Sequence, residues 1–112
     1  MAAQEDVHQL TRDIQSICNG NGVSVQTMTN ALAFVYLLNE NHYPLPFALD
    51  GHVEVRFVWP RYRCSVLFRT QDTENVCVIV TQGIRHQMSL DTVNWTNVLQ
   101  SLQFVTCLKP LK

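Results

Sequence analysis

Lysine is almost absent from this 112-residue chain. Only Lys109 and Lys112 occur, both near the C-terminus, and the other six basic residues are arginines. Charge of either sign is thin: 15 % of residues are charged and the net charge is −1 at pH 7. Such a balance excludes a global field that would gather nucleic acid or an anionic membrane surface. The four cysteines, Cys18, Cys64, Cys77 and Cys107, form no C-x-x-C pair, which removes the paired-cysteine metal and redox motifs. The longest apolar run, Ala31 to Leu38, falls far short of the roughly 20 residues that span a bilayer. The opening MAAQEDVHQL has neither a basic n-region nor an apolar core, so no secretory signal is expected. These absences predict a cytoplasmic protein with reduced thiols, in which the Asn94-Trp95-Thr96 sequon carries no meaning.

What is present is a chain with 46 % apolar residues, large enough for a core of its own and expected to form a single domain over 1–112. Gln4 to Cys18 places Val7, Leu10, Ile14, Ile17 and Cys18 at helical spacing, one buried stripe on an amphipathic helix. Asn19-Gly20-Asn21-Gly22 ends it, because these residues tolerate the left-handed conformation of helix ends. Ser24 is the expected N-cap of a second helix, with Val25, Met28, Leu32 and Val35 as its stripe. The half of that helix from Ala31 onward is apolar on nearly every side and is expected to be deeply buried. Asn39 to His42 closes it. Pro44-x-Pro46 imposes an extended crossover, and Asp50-Gly51 signals a turn.

Residues 52–69, HVEVRFVWPRYRCSVLFR, alternate as a hairpin with two chemically separate faces. One carries Val53, Val55, Phe57, Trp59, Tyr62, Cys64, Val66 and Phe68. The other carries His52, Glu54, Arg56, Val58, Arg63, Ser65, Leu67 and Arg69, with Arg61 in the turn. A turn centred on Pro60-Arg61 pairs Trp59 with Tyr62 and Phe57 with Cys64. Pro-Arg suits a primed two-residue turn poorly, so a loop of four residues or more is the alternative. After a loop over Thr70 to Glu74, simple pairing sets Phe68 near Val76, Val66 near Val78 and Cys64 near Val80. Cys77 and Ile79 then fall on the arginine-bearing face. Gln82-Gly83 turns into a candidate fourth strand, Ile84 to Met88. Ser89 is the expected cap of a last helix, with Asp91 in its first turn and Leu90, Trp95, Val98, Leu99 and Leu102 at helical spacing. The predicted class is α+β: two N-terminal helices, an antiparallel meander of three to four strands, and a C-terminal helix on the apolar sheet face.

The stretch from Ala31 to Trp59 joins an apolar helix (ALAFVYLL), Pro44-x-Pro46, Asp50-Gly51, Val53 and a closing Trp59, with a Tyr62-containing strand after it. This pattern resembles small, uncharacterised bacterial proteins of α+β make-up, and the resemblance implies the fold without an activity. The layout is also similar, as architecture, to secretion chaperones and to small phage-encoded inhibitor proteins.

The candidate site is the arginine face: Arg56, Arg61, Arg63 and Arg69 with His52. Guanidinium groups favour planar, bidentate contacts to carboxylate or phosphate. Phosphate would point to nucleic acid, but single-strand recognition also wants exposed rings for bases to stack on. Here Phe57, Trp59, Tyr62 and Phe68 all map to the inner face. Arginine mixed with Val58, Leu67, Cys77 and Ile79 has the make-up of a protein contact, and free sheet edges can pair with another chain. The plain alternatives are a solvated face with Glu54 pairing across to an arginine, or a face covered by the N-terminal helix. Low charge also fits either a surface covered by a partner or second copy, or one solvated by Asn, Gln, Ser and Thr.

No catalytic, metal or cofactor motif stands out. Cys64 or Cys77 with His52 or His86 is the one conceivable nucleophilic set, and both thiols sit in apolar strands where cysteine is usually inert filling. The expected function is therefore a non-enzymatic protein-interaction module of adaptor, chaperone-like or inhibitor type, with self-association as one form of it. A nucleic-acid-binding accessory protein and a cysteine-dependent enzyme are the alternatives.

Overall fold

A computed structural model describes residues 2–20, 22–51, 53–71, 74–90 and 95–106 of the chain. The elements follow in the order α1 (Ala2–Gly20), α2 (Val25–Glu40), β1 (Phe47–Gly51), β2 (Glu54–Trp59), β3 (Cys64–Gln71), β4 (Glu74–Thr81), β5 (Ile84–Ser89) and α3 (Trp95–Thr106). The strands form one antiparallel meander in the order β1-β2-β3-β4-β5. The α+β class, the two leading helices, the meander and the closing helix agree with the sequence expectation. The sheet has five strands rather than three or four, because the segment after Pro46 pairs with β2 from Phe47↔Val58 to Gly51↔Glu54. Among the described residues no helix is long and apolar enough to cross a membrane.

Ser24 caps α2, its hydroxyl accepting the Thr27 N–H at 3.1 Å. The same hydroxyl lies 3.0 Å from that of Thr70, and Thr27 Oγ1 lies 2.9 Å from it. The helix start is thereby tied to the end of β3, and Thr27 is buried with its polar atom satisfied. The buried stripe of α2 is Thr27, Ala31, Phe34, Val35 and Leu38. Val25, expected inside, is 75 % exposed. A helix half that is apolar all round has no phase of its own, so its rotation is set by Phe34. That ring lies 5.0 Å from Phe68 and 5.4 Å from Phe57, centroid to centroid, and stacks on Trp95 at 6.3 Å. Ser89 is a second correction. It closes β5 opposite Val76, and the next residue continues the ladder, Leu90 N–H donating to Asn75 O at 2.8 Å. The last helix begins at Trp95, and Asp91 lies outside the described residues.

The core lies between the helices and one face of the sheet. Val7, Leu10 and Ile14 of α1, Phe34 and Leu38 of α2, and Val98 and Leu102 of α3 meet Val55, Phe57, Trp59, Cys64, Val66 and Phe68. Those strand residues are the predicted inner face of the hairpin. Trp59 adds an anchor, its indole N–H donating to Pro44 O at 2.8 Å.

Two registers differ from the expectation, with different consequences. Trp59 pairs with Cys64 and Phe57 with Val66, because Pro60–Tyr62 forms a 3₁₀ turn and Arg63 closes it in the left-handed region at φ 50°. This is the four-residue loop. It shifts the pairing by two, so every side chain keeps its face. On the next strand the shift is by one: Phe68 faces Cys77 and Val66 faces Ile79. Cys77 and Ile79 therefore belong to the helix-covered core, and Val76, Val78 and Val80 take the arginine face. Val76 to Val80 is apolar at every position, so alternation holds no phase there, and the pairing of Gln71 with Glu74 fixes it.

Candidate interaction surface

The outer sheet face is assembled in rows across the strands. One row is Gly51, Glu54, Arg69, Val76 and Ser89; the next is Leu49, Arg56, Leu67, Val78 and Gln87; the third is Phe47, Val58, Ser65, Val80 and Arg85. The predicted arginines do not act as one set on it. Arg56 Nη2 lies 3.0 Å from Glu54 Oε2, and Arg69 Nη1 lies 3.9 Å from Glu54 Oε1. Glu54 is only 9 % exposed in its side chain. A carboxylate so withdrawn from water is held by its cationic partners, and the pairing of Glu54 with an arginine, weighed as the plain alternative, is what occurs.

Gly51 makes this cluster fit. A Cβ at that position would stand 2.3 Å from Glu54 Cγ and 2.5 Å from Oε2, inside any real contact distance. The carboxylate occupies the space that a side chain on β1 would fill.

Arg61 and Arg63 are different. Both are exposed at the β2–β3 turn, and neither makes an ion pair among the described residues. His52 lies outside the described residues. The face thus separates into a neutralised end around Glu54 and a cationic end at the turn.

Sequence reading missed Phe47 and Leu49. The segment after Pro46 was expected to be crossover and turn, although Phe47-Ala48-Leu49-Asp50 already shows a short period of two. Phe47 is 67 % exposed and Leu49 49 %, and both point to the outer face beside Arg56 and Val58. Leu67, Val76 and Val78 lie on the same face but are buried. The accessible apolar surface is therefore the β1–β2 side.

The described thiols lie in the interior. Cys18, Cys64 and Cys77 are free and buried. Burial pushes the Cys77 thiol up to about 12 and raises that of Cys18, the direction that suppresses thiolate and reactivity. His86 is exposed on β5, and Cys107 lies outside the described residues. No group of three or more His, Cys, Asp or Glu is arranged to hold a metal among the described residues.

No family model matches the chain, and neither a curated relative nor a solved structure does.

Proposed function

We propose that this protein is a non-enzymatic protein-binding module, and that its contact surface is the β1–β2 side of the outer sheet face with the arginines of the β2–β3 turn at its rim. The observation that carries the reading is the exposure of Phe47 and Leu49 on one face, with Phe47 lining one cleft with Arg61, which no carboxylate among the described residues neutralises. Large apolar groups beside arginine, with no lysine among the described residues, are the make-up of protein interfaces. Charge complementarity favours a partner that presents carboxylates to the turn end. A reducing cytosol suits the three free, buried thiols.

The test compares the unaltered chain with Phe47→Ser/Leu49→Ser. The double variant should keep its far-ultraviolet circular dichroism and lose the proteins that the unaltered chain retains from host lysate. Val25→Ser, equally exposed but on α2, should lose none. Sedimentation velocity on the same proteins decides whether the partner is a second copy. Retention of an unchanged set of proteins and an unchanged sedimentation coefficient by the double variant would remove this surface from consideration. Charge reversal at Arg61 and Arg63 should weaken capture without unfolding, and retention that instead falls steeply with salt on added single-stranded DNA would indicate a nucleic-acid partner.

A further inference from the structure

A cleft of about 350 Å³ opens where β2 runs into the 3₁₀ turn, and Phe47, Val58, Trp59, Pro60, Arg61 and Tyr62 line it. Its size is at the lower end of the roughly 300–1,000 Å³ that small-molecule sites occupy. The lining side chains are mostly apolar. Trp59 closes the inner side of the cleft with only 3 % of its surface exposed, its single polar group is already spent on the Pro44 carbonyl, and Pro44 and Pro60, both in the lining, have no N–H to offer. Two polar groups remain. Arg61 is the one charged residue of the lining and makes no ion pair among the described residues. The Tyr62 hydroxyl has no hydrogen-bond partner among them either. Arg61 and Tyr62 are held beside each other by the turn, whose Arg63 N–H donates back to Pro60 O at 3.2 Å.

An apolar cleft with one unspent guanidinium and one unspent phenol at its rim suits an anion whose remaining surface is hydrocarbon. We infer that this cleft binds a small free carboxylic acid with an aromatic or branched aliphatic body: the body against Phe47 and Val58, the carboxylate on Arg61 with Tyr62 donating to it. The guanidinium fork matches a carboxylate's two oxygens. Of the other free arginines, Arg63 does not line the cleft, which makes it an internal control. This inference does not rest on the protein-binding reading, although the two share Phe47.

The experiment titrates the isotope-labelled protein with cyclohexanecarboxylate at millimolar concentration and follows amide and indole resonances. The Trp59 indole N–H and the amides of Arg61 and Tyr62 should shift saturably. Cyclohexanecarboxamide, the uncharged isostere, should bind about tenfold or more weakly, and Arg61→Gln should weaken the acid by about the same factor. Tyr62→Phe should weaken it less, and Arg63→Gln should leave it unchanged. Equal binding of acid and amide, equal binding by the Arg61→Gln protein, or the absence of saturable shifts in the unaltered protein each overturns the inference. All three read the isolated chain, so their failure leaves partner capture untouched, and failed capture leaves them untouched.

Discussion

At Glu54, three side chains meet across a space that only glycine leaves open. The carboxylate is nearly buried, Arg56 and Arg69 hold it, and a Cβ on Gly51 would stand 2.3 Å from its Cγ. Gly51→Ala should therefore act through Glu54, swinging the carboxylate off its partners at a loss of about 1–3 kcal/mol. Glu54→Ala should lose a similar amount. On that background the alanine at 51 meets no Cγ, so the two losses should be strongly non-additive in a denaturant-melt cycle. Simple additivity would separate the glycine from the ion pair. Cys77 is the other residue with its own consequence. Its thiol is held up to about 12 by burial, against an ordinary value of 9.0. The folded state thus favours the protonated thiol. Its contribution is complete below pH 9 and is lost as pH rises from there toward 12, because the unfolded chain releases the proton first. Stability should fall over that window, and Cys77→Ala should flatten the fall; an unchanged slope in the variant would assign the alkaline loss to other groups.

Among the elements, β5 is the most open to outside pairing. Its residues Ile84 to Gln87 are exposed, and it borders no further strand among the described residues. The Leu90 N–H bond to Asn75 O fixes the parity of the ladder: the pairs Cys77↔Met88, Ile79↔His86 and Thr81↔Ile84 exchange hydrogen bonds, and the backbone groups of Arg85 and Gln87 face away from β4. Proline separates the two classes. His86→Pro removes a bond inside the ladder and should cost about 3 kcal/mol, whereas Gln87→Pro removes only an outward N–H and should cost much less. Thermal melts check the ranking, and equal losses would refute this parity. The turn behind this strand was readable in advance: Gln82 and Gly83 both take positive φ, 50° and 82°, as a primed two-residue turn requires. β4 is the opposite case. Its run from Val76 to Val80 is apolar at each position, so residue type says nothing about which side faces the helices, and only its register with β3 resolves it.

The whole molecule is two layers, helices against one face of a sheet, and its centre is Phe34. That side chain is fully buried and meets Phe57, Trp59, Phe68 and Trp95, drawn from two strands and the last helix. Phe34→Ala should cost about 3–5 kcal/mol, since the cavity is lined by large rings that cannot collapse into it. Chemical denaturation measures it, and a loss near 1 kcal/mol would mean that the rings repack. The proposed contact surface is a property of this same scale. Ala48 of β1 packs toward the helices, so alternation turns Phe47 and Leu49 to the other face.

Local pattern alone was sufficient for the class of fold, the Ser24 cap, the split of Val55, Phe57 and Trp59 from Glu54, Arg56 and Val58, and the inner face of β3. Each of these depends on periodicity or on turn chemistry within a few residues. The phase of α2, the facing of β4, the strand after Pro46 and the approach of Arg69 to Glu54 were decided only in three dimensions. In the first two the apolar residues are continuous, so rotation and register follow from what packs against them. In the last two the deciding partner lies on a neighbouring strand, where pairing brings together residues that no local spacing relates.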